Sequence, residues 1–381
     1  MEVASGSRVR PRHVNLFGNA AVSASLIFIP LWAAELGATT EQLGFIVAAY
    51  NGAILVASYV FGRAADIRGS RRILQAGLAL GALAAFLQVF AQDPISALVT
   101  RSFLGFCVGM YPPALLAYAR SADRTMGTFA AWGSLGWAAG TLLAGLSAGV
   151  APADTRPVFL LSSVLFLAGL GVSSGAPTAA AGNLVVPLFP VDLIRRNLPI
   201  YLTMLIRHTG ANMVWVIFPL YMRDVLGMNG FQIGMAYTLN PLVQFLVMQR
   251  LDRIRSTSLV AIGLVASLAT FVSFTVARNV VEILATQILL GFAWATLYVG
   301  ALQFLVERNR ETATAGGILG SVLSISSIIG PVTGGLLAFG NNYLLPMYAA
   351  AIMCGIALVT FWVQYRSLPA PEPTPAVRSE D

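Results

Sequence analysis

The residues of this sequence that could do ionic chemistry lie inside long apolar stretches. Arg101 stands alone as a charge in residues 95–118, and the neighbours Arg207 and His208 stand in residues 199–222. A charge at the middle of a lipid-spanning helix costs about 2.5–3.5 kcal/mol and by default marks a functional site, and histidine titrates near neutral pH. These residues indicate anion binding or proton movement. The alternatives are arginines that extend to the lipid headgroups and a histidine hydrogen-bonded in the core.

Neutral polar and aromatic side chains accompany these charges. His208, Asn212 and Trp215 follow the spacing i, i+4, i+7, which places them on one face of a helix. Asparagines also hold helices together in lipid, and aromatic rings also pack in cores, so each residue taken alone has a structural explanation. As a set we expect them to line a substrate-binding cavity, together with Arg207, Asn19, Asn51, Tyr111, Asn240, Gln287, Trp294 and Tyr298.

The residue types that are scarce exclude several kinds of site. The chain has two cysteines, Cys107 and Cys354, both in apolar runs, and its histidines are His13 and His208. We therefore expect no disulfide scaffold, no metal site and no cofactor. There is no lysine, and no nucleophile, base and orienting acid can be assembled in one leaflet, so the sequence does not indicate an enzyme.

The composition shows which elements must position these residues. Of 381 residues 57% are hydrophobic and only 10% are charged, whereas a soluble domain carries about 25% charged residues. Apolar runs that are continuous rather than alternating predict membrane-spanning helices. We number the predicted runs spans 1 to 12: 14–34, 42–61, 73–92, 95–118, 127–150, 158–176, 199–222, 231–249, 257–277, 283–304, 313–338 and 344–365.

The arginines predict the orientation. With the N-terminus inside, 18 of the 23 arginines fall in inner segments, three fall outside and two lie within spans. The positive-inside rule then places the chain in the inner (plasma) membrane with both termini cytoplasmic. The net charge of +7 is explained by this distribution, so no nucleic-acid partner is expected.

The twelve spans divide into two repeated halves. Asp66, Gly105 and Phe106 recur as Asp252, Gly291 and Phe292 at an offset of 186, and Arg124 recurs as Arg310. Offset 190 relates Gly37, Gly44, Gly127 and Gly140 to Gly227, Gly234, Gly317 and Gly330. The predicted organisation is an N-terminal tail 1–13, a six-helix bundle 14–176, a cytoplasmic linker 177–198, a second bundle 199–366 and a disordered tail 367–381.

One segment after span 2 carries a specific resemblance. Residues 62–72 read Gly-Arg-Ala-Ala-Asp-Ile-Arg-Gly-Ser-Arg-Arg, which resembles the signature between helices 2 and 3 of the Major Facilitator Superfamily. The matching positions do not say which arginine pairs with Asp66. The resemblance implies an inner gate formed by Gly62, Asp66, Gly69, Arg71 and Arg72, with a degenerate second copy at Asp252 and Arg253.

Two further stretches resemble signatures of the same superfamily. The run from Arg101 to Gly109 is similar to the span 4 signature associated with proton coupling. Gly136 and Gly140 in span 5 resemble part of the antiporter signature, and Gly330-Pro331 in span 11 belongs to a fuller match. The resemblance implies two pseudo-symmetric six-helix bundles that give alternating access to a central site, in the manner of the drug:proton antiporter branch.

The substrate class follows from a missing acid. Cation exporters of this superfamily usually embed an acid in span 1, where this chain has Asn19 and Ser23, so a neutral, hydrophobic or anionic solute is favoured. We expect a monomer in the lipid bilayer that exports a neutral or hydrophobic solute, with protons coupled through Arg101 and His208. The alternatives are organic-anion uptake or exchange through intramembrane arginines, and a transporter-like membrane sensor.

Overall fold

The structure is a computed structural model of the whole chain. It describes residues 11–26, 28–38, 40–122, 125–150, 155–175, 187–228, 230–338 and 342–366. The predicted tails, most of the predicted linker and Arg124 of the repeat lie outside these ranges. Within them all regular secondary structure is helical, and each of the twelve predicted spans corresponds to helix. The predicted all-helical architecture is confirmed.

The helices follow the predicted runs closely. Span 1 consists of Pro11–Leu26 and Ile29–Glu35, and span 7 of Val191–Trp215 and Phe218–Asp224. The others are Thr40–Arg68, Ser70–Leu87, Pro94–Ala122, Met126–Val150, Arg156–Ser173, Gly230–Met248, Ser256–Val276, Val280–Arg308, Thr312–Leu337 and Leu344–Arg366. Among the described residues, nine of these helices are long and apolar enough to cross a membrane unaided, and span 8 adds the shorter apolar helix Met235–Met248.

Some helices extend beyond their apolar runs. Span 2 continues to Arg68, so residues 62–68, which were predicted to lie after span 2, form its last two turns. The chain turns at Gly69, whose φ of 93° suits glycine. Span 7 begins at Val191, within the stretch assigned to the linker. Hydropathy marks where a helix leaves lipid, whereas its end depends on the next turn residue.

The repeat is visible in local geometry. The two helices of span 1 are separated between Leu26 and Ile29, and those of span 7 at the related position between Trp215 and Phe218. Gly37 and Gly227, which follow the broken spans, have φ of 76° and 64°. Each half therefore begins with a divided helix followed by a glycine turn.

Packing within the two halves is equivalent. In the N-terminal half span 1 packs against spans 5 and 6, and span 4 packs against spans 2 and 3. In the C-terminal half span 7 packs against spans 11 and 12, and span 10 packs against spans 8 and 9. The main contacts between the halves join span 2 to span 11, span 5 to span 8, and span 4 to span 11. We call the end of the molecule where spans 2, 4, 8 and 10 finish the basic end.

This arrangement allows the predicted orientation to be tested with introduced cysteines. Cys107 and Cys354 are buried and would be replaced by alanine. Gln92 and Gln249 are both exposed, at the opposite end and the basic end respectively. With the basic end in the cytoplasm, a membrane-impermeant thiol reagent should label Gln92→Cys in intact cells, and should label Gln249→Cys only in inverted vesicles. The reverse pattern would contradict the orientation.

Candidate functional site

A cavity of about 290 Å³ lies between the two halves. It is bounded by spans 1, 2, 4 and 5 of the N-terminal half and spans 10 and 11 of the C-terminal half. Aromatic rings and neutral polar groups form much of its wall, and none of the described residues on it is charged. The lining residues important here are Asn15, Asn19, Ser58, Tyr111, Phe129, Trp137, Tyr298, Ser324 and Ser327.

Three residues predicted from the sequence lie on this wall: Asn19, Tyr111 and Tyr298. The amide of Asn19 donates to Asn15 Oδ1 at 2.9 Å, and the amide of Asn15 donates to the Phe129 carbonyl at 2.8 Å. This chain of hydrogen bonds joins span 1 to span 5 and orients two amides at the cavity. Both are oriented by neutral partners, so they suit a solute that needs hydrogen bonds rather than charge compensation.

Tyr111 fits beside span 1 because a glycine lies opposite its ring. A Cβ at Gly18 would lie 2.8 Å from the Tyr111 ring, which is closer than packed atoms allow. The ring also meets Phe166 edge-on at a centroid distance of 6.2 Å. Tyr111 is therefore held by packing within the N-terminal half.

Tyr298 belongs to a stack of aromatic rings that leads away from the cavity. Its ring stacks on Trp294 at a centroid distance of 5.2 Å and an angle of 14°. Trp294 also stacks on His208 of span 7, at 5.2 Å and 29°. Nδ1 of His208 is buried and has no hydrogen-bond partner among the described residues. The stack connects the predicted histidine of span 7 to the cavity wall.

Arg207 lies beside Trp294 of this stack and is not among the described residues of the cavity wall. It is 2% exposed, and its guanidinium carbon lies 5.1 Å from the Trp294 ring centroid and 5.7 Å from that of Phe271. Its Nε donates to Ser267 Oγ at 3.1 Å. The arginine is thus enclosed by spans 9 and 10 inside the C-terminal half.

Arg101 is enclosed in the N-terminal half in a similar way. It is 1% exposed, its guanidinium carbon lies 4.1 Å from the Tyr50 ring centroid, and Nη1 donates to Ser25 Oγ at 3.1 Å. A longer contact of 3.5 Å reaches Gln88 Oε1. Because its partners are neutral groups of spans 1, 2 and 3, Arg101 does not extend to the headgroups.

The other predicted residues lie elsewhere. The Asn51 amide donates to the Val47 carbonyl and the Asn212 amide to the His208 carbonyl, each within its own helix. Trp215 packs against Phe218 and Tyr237, at centroid distances of 5.9 and 6.3 Å. None of these predicted residues is among the described residues of the cavity wall.

Gln287 and Asn240 belong to the C-terminal half. Gln287 is 1% exposed, and its Nε2 has no partner among the described residues. Asn240 accepts a hydrogen bond from Gln244, and Gln244 accepts one from Ser134 Oγ at 2.9 Å, so this chain joins span 8 to span 5. Asn15 and Gln244 are not among the residues predicted from the sequence, although each lies four residues from a predicted asparagine.

At the basic end, a carboxylate from each half meets a helix N-terminus of the other. Asp66 accepts hydrogen bonds from the backbone N–H groups of Ala313 and Thr314, at 3.2 and 2.7 Å, and from the Thr314 hydroxyl at 2.6 Å. These residues form the first turn of span 11, where unpaired N–H groups and the helix dipole favour an anion.

Asp252 makes the equivalent contact in the other direction. Its Oδ1 accepts a hydrogen bond from the Gly127 N–H at 2.6 Å, in the first turn of span 5. We call the contacts of Asp66 and Asp252 the crossed clamp. It was the repeat offset, rather than the degenerate local motif, that pointed to Asp252.

Glycines let the backbones approach beside the clamp. A Cβ at Gly317 would lie 2.2 Å from the Ser58 carbonyl oxygen, and one at Gly62 would lie 2.6 Å from the Ala313 carbonyl oxygen. Spans 2 and 11 therefore touch along their backbones, and the halves are closed against each other at this end.

The predicted gate arginines do not pair with Asp66 in the described part of the chain. Arg71 donates to the Ser174 carbonyl at 2.7 Å, and Arg253 is exposed. Arg72 is likewise exposed. Arg120, which is not among the predicted gate residues, lies close enough to Asp66 for their charges to interact. It crosses between the halves to bond the Asn309 carbonyl and the Thr312 hydroxyl.

Comparison with known proteins identifies the family. The family model described as Major Facilitator Superfamily matches residues 14–189 and 200–380. The multidrug resistance protein MdtG of Proteus mirabilis is 25% identical over 377 residues, covering 89% of this chain and 91% of the relative. The proton-coupled antiporter flippase LtaA of Staphylococcus haemolyticus is 23% identical over 333 residues, covering 78% and 79%.

A solved structure shares the fold. The crystal structure of the human organic anion transporter MFSD10 (TETRAN) superposes with a TM-score of 0.74 at 13% identity, covering 93% of this chain and 98% of the other. At this identity the likeness concerns the fold.

The crossed clamp predicts that removing the Asp66 charge opens the basic end. A hydrogen bond to a charged group contributes about 1.5–3 kcal/mol. Asp66→Asn should therefore raise the ratio of open to closed molecules by roughly tenfold or more. A cysteine introduced at the cavity residue Ser327 reports this opening, because a thiol reagent added from the basic end should label it faster in the Asp66→Asn variant.

A matched control is Asp93→Asn, which makes the same chemical change. Asp93 accepts hydrogen bonds from Ser96 and Ile95 at the start of span 4, and those from Ser96 lower the pKa of its carboxyl. Because Asp93 lies at the start of span 4, at the opposite end of the molecule from the clamp, its variant should leave the labelling rate unchanged. Equal rates in the Asp66→Asn and Asp93→Asn variants would show that the clamp does not hold the basic end closed.

Proposed function

The chain belongs to the Major Facilitator Superfamily of transporters, and we propose that it exports a small neutral or hydrophobic organic compound in exchange for protons. The observation that carries this proposal is the uncharged, aromatic cavity between the two halves. A cavity shared by both halves is accessible from either end when the halves move relative to each other.

The chemistry of the cavity wall favours a neutral solute. An ion moved from water into a low-dielectric cavity needs a charged or strongly polar partner, and the described wall residues offer amides, hydroxyls and rings. Apolar walls with a few placed polar groups are typical of sites for small organic molecules. Asn15, Asn19 and Ser58 would give such a solute its orientation.

The proposed direction of transport and the proposed coupling to protons are supported by observations other than the cavity. The names of the relatives MdtG and LtaA refer to multidrug resistance and to proton-coupled antiport. In this chain, His208 is the histidine that the Trp294 and Tyr298 rings connect to the cavity. In the described state the imidazole of His208 lies beside the charged Arg207 and stacks on the same Trp294 ring, which disfavours an imidazolium. We therefore propose that His208 takes up the coupled proton in a state in which movement of the halves admits water to it, and releases the proton on return to the described state. We propose that Arg101 couples the N-terminal half to this change.

The crossed clamp supplies a gate for the transport cycle. Opening the basic end requires the carboxylates of Asp66 and Asp252 to leave the N-termini of spans 11 and 5. We propose that solute and proton binding change the balance between this closed state and one open at the basic end. In this proposal the protein lies in a bacterial inner membrane with its basic end on the cytoplasmic side, and it acts as a monomer.

Organic-anion transport through Arg101 and Arg207 is less well supported. Both guanidinium groups lie within their own halves, where their contacts are aromatic rings, hydroxyls and an amide. An anion in the cavity would not touch either of them directly. A transporter-like sensor would bind the same solutes without moving them, so a flux measurement separates it from a transporter.

Flux into proteoliposomes tests the proposal. Solutes would be chosen by a thermal-shift screen of neutral, anionic and cationic compounds at two pH values. We expect neutral compounds to stabilise the protein most, and an imposed pH gradient to accelerate their flux until a protonophore dissipates it. Flux that ignores the gradient would remove the proton coupling, and binding without flux would indicate the sensor.

A matched pair of asparagines tests the site itself. Asn19 lines the cavity, whereas Asn51 bonds to its own helix. Asn19→Leu should raise KM by roughly threefold to tenfold, because it removes about one hydrogen bond to the solute, and Asn51→Leu should change KM little. Equal effects of the two substitutions would place the solute elsewhere.

A further inference from the structure

A buried cation stands behind the aromatic wall of the cavity. The Arg207 guanidinium carbon lies 5.1 Å from the Trp294 ring centroid, and Trp294 stacks on Tyr298 at 5.2 Å. Tyr298 lines the cavity, whereas Trp294 and Arg207 are not among its described wall residues. We call Tyr298, Trp294 and Arg207 the charged stack, because its cavity end is a ring and its buried end is a guanidinium group.

No carboxylate pairs with Arg207 in the described part of the chain. Its contacts are Ser267 Oγ and the rings of Trp294 and Phe271, and its Nη2 atom has no hydrogen-bond partner there. The guanidinium remains charged at all physiological pH values. The positive electrostatic potential of Arg207 therefore extends to the cavity, because no negative charge lies beside it and the surroundings have a low dielectric constant.

Two physical effects at the cavity follow from this field. The ring faces of the wall attract cations through their negative quadrupoles, and Arg207 uses this attraction only at Trp294, which is not a described wall residue. The charge of Arg207 therefore has to outweigh the attraction that the Tyr298 face offers to a cation. The uncompensated positive charge also repels a second cation in the cavity and attracts electron-rich or anionic groups. The charged stack therefore favours neutral and anionic rings over cationic ones, without any direct contact between the guanidinium and the solute.

The shape of the wall favours flat molecules. Tyr111, Phe129, Trp137 and Tyr298 contribute rings from spans 4, 5 and 10. Aromatic rings prefer offset or edge-on contact with other rings, which adds to the free energy of burial. A planar solute can contact several of these rings, whereas a spherical aliphatic solute of similar size cannot stack on them.

On the premise of the proposed function, we propose that the cavity selects planar aromatic compounds that are neutral or anionic, and that the charged stack sets this preference. Tyr298 is the residue in contact with the solute. Arg207 is a positioning residue that acts through Trp294 and Tyr298.

A charge series on one ring system tests the proposal by binding alone. The probes are anthracene-9-methanol, anthracene-9-carboxylate and 9-(aminomethyl)anthracene, with the corresponding adamantane-1-methanol, carboxylate and aminomethyl compounds as non-planar counterparts. Binding to the purified full chain in detergent is measured by calorimetry. We expect the neutral and anionic anthracenes to bind roughly tenfold more tightly than the ammonium form and than their adamantane counterparts.

Variants then assign the preference to the two ends of the charged stack. Tyr298→Leu should weaken anthracene binding by roughly threefold to tenfold and leave adamantane binding unchanged. Tyr298→Phe, which keeps the ring, should bind anthracenes as tightly as the unsubstituted protein. Arg207→Gln should remove the discrimination against the ammonium probe, and Arg207→Lys should keep it. The lysine and phenylalanine variants show whether a lost preference comes from the changed group or from loss of folding.

Span 12 offers a matched control. Phe361 and Tyr365 form a stacked pair at 5.7 Å and 15°, and the Arg308 guanidinium carbon lies 5.9 Å from the Tyr365 ring centroid. This group likewise consists of two stacked rings and an arginine, but it is not part of the described cavity wall. Tyr365→Leu and Arg308→Gln should leave the binding of all six probes unchanged.

The outcomes separate this inference from the proposed function. Anthracene binding with the expected charge order, but without flux in proteoliposomes, would support the charged stack and overturn transport. Proton-driven flux of neutral solutes, with equal binding of anthracenes and adamantanes, would overturn the charged stack alone. Absence of binding by every probe, or a charge preference that survives in a folded Arg207→Gln variant, would also overturn it.

Discussion

The closed basic end depends on carboxylates placed against helix N-termini across the two halves. Asp66 binds the first turn of span 11, and Asp252 binds the first turn of span 5. Each contact uses N–H groups that a helix leaves unpaired, and in the proposed open state water would take the place of these contacts. Because the receiving spans are themselves repeat partners, the interface has one interaction used twice, and the glycines beside it allow the backbones to come close enough for it.

The halves handle intramembrane charge by a common principle. Arg101 and Arg207 are both almost fully buried, and both are surrounded by hydroxyls and aromatic faces in place of carboxylates. This keeps charge off the cavity wall, where it would dictate the sign of the solute, but leaves a positive field behind that wall. The described residues that would touch a solute are therefore uncharged, whereas positively charged residues lie behind them.

Much of the fold was predictable from the sequence, because hydropathy acts over the length of a whole helix. The twelve spans and the repeat needed only residue types and their spacing. Helix ends were less predictable, since the last turns of span 2 lie beyond the apolar run and end at Gly69.

The site was predictable only in part. Asn19, Tyr111 and Tyr298 lie on the cavity wall, but Asn51 bonds to its own helix and Arg207 turns towards span 9. Which face of a helix meets the cavity depends on packing between helices, and residue types alone do not contain that information.

Arg207 and Arg101, held in the cores of their halves, must travel with them during any rocking motion. Movement of a fixed charge along the membrane normal is work against the membrane potential, about 2.3 kcal/mol for a full crossing at 100 mV. On the premise of the proposed alternating-access cycle, the equilibrium between its states would therefore depend on the membrane potential even for an uncharged solute.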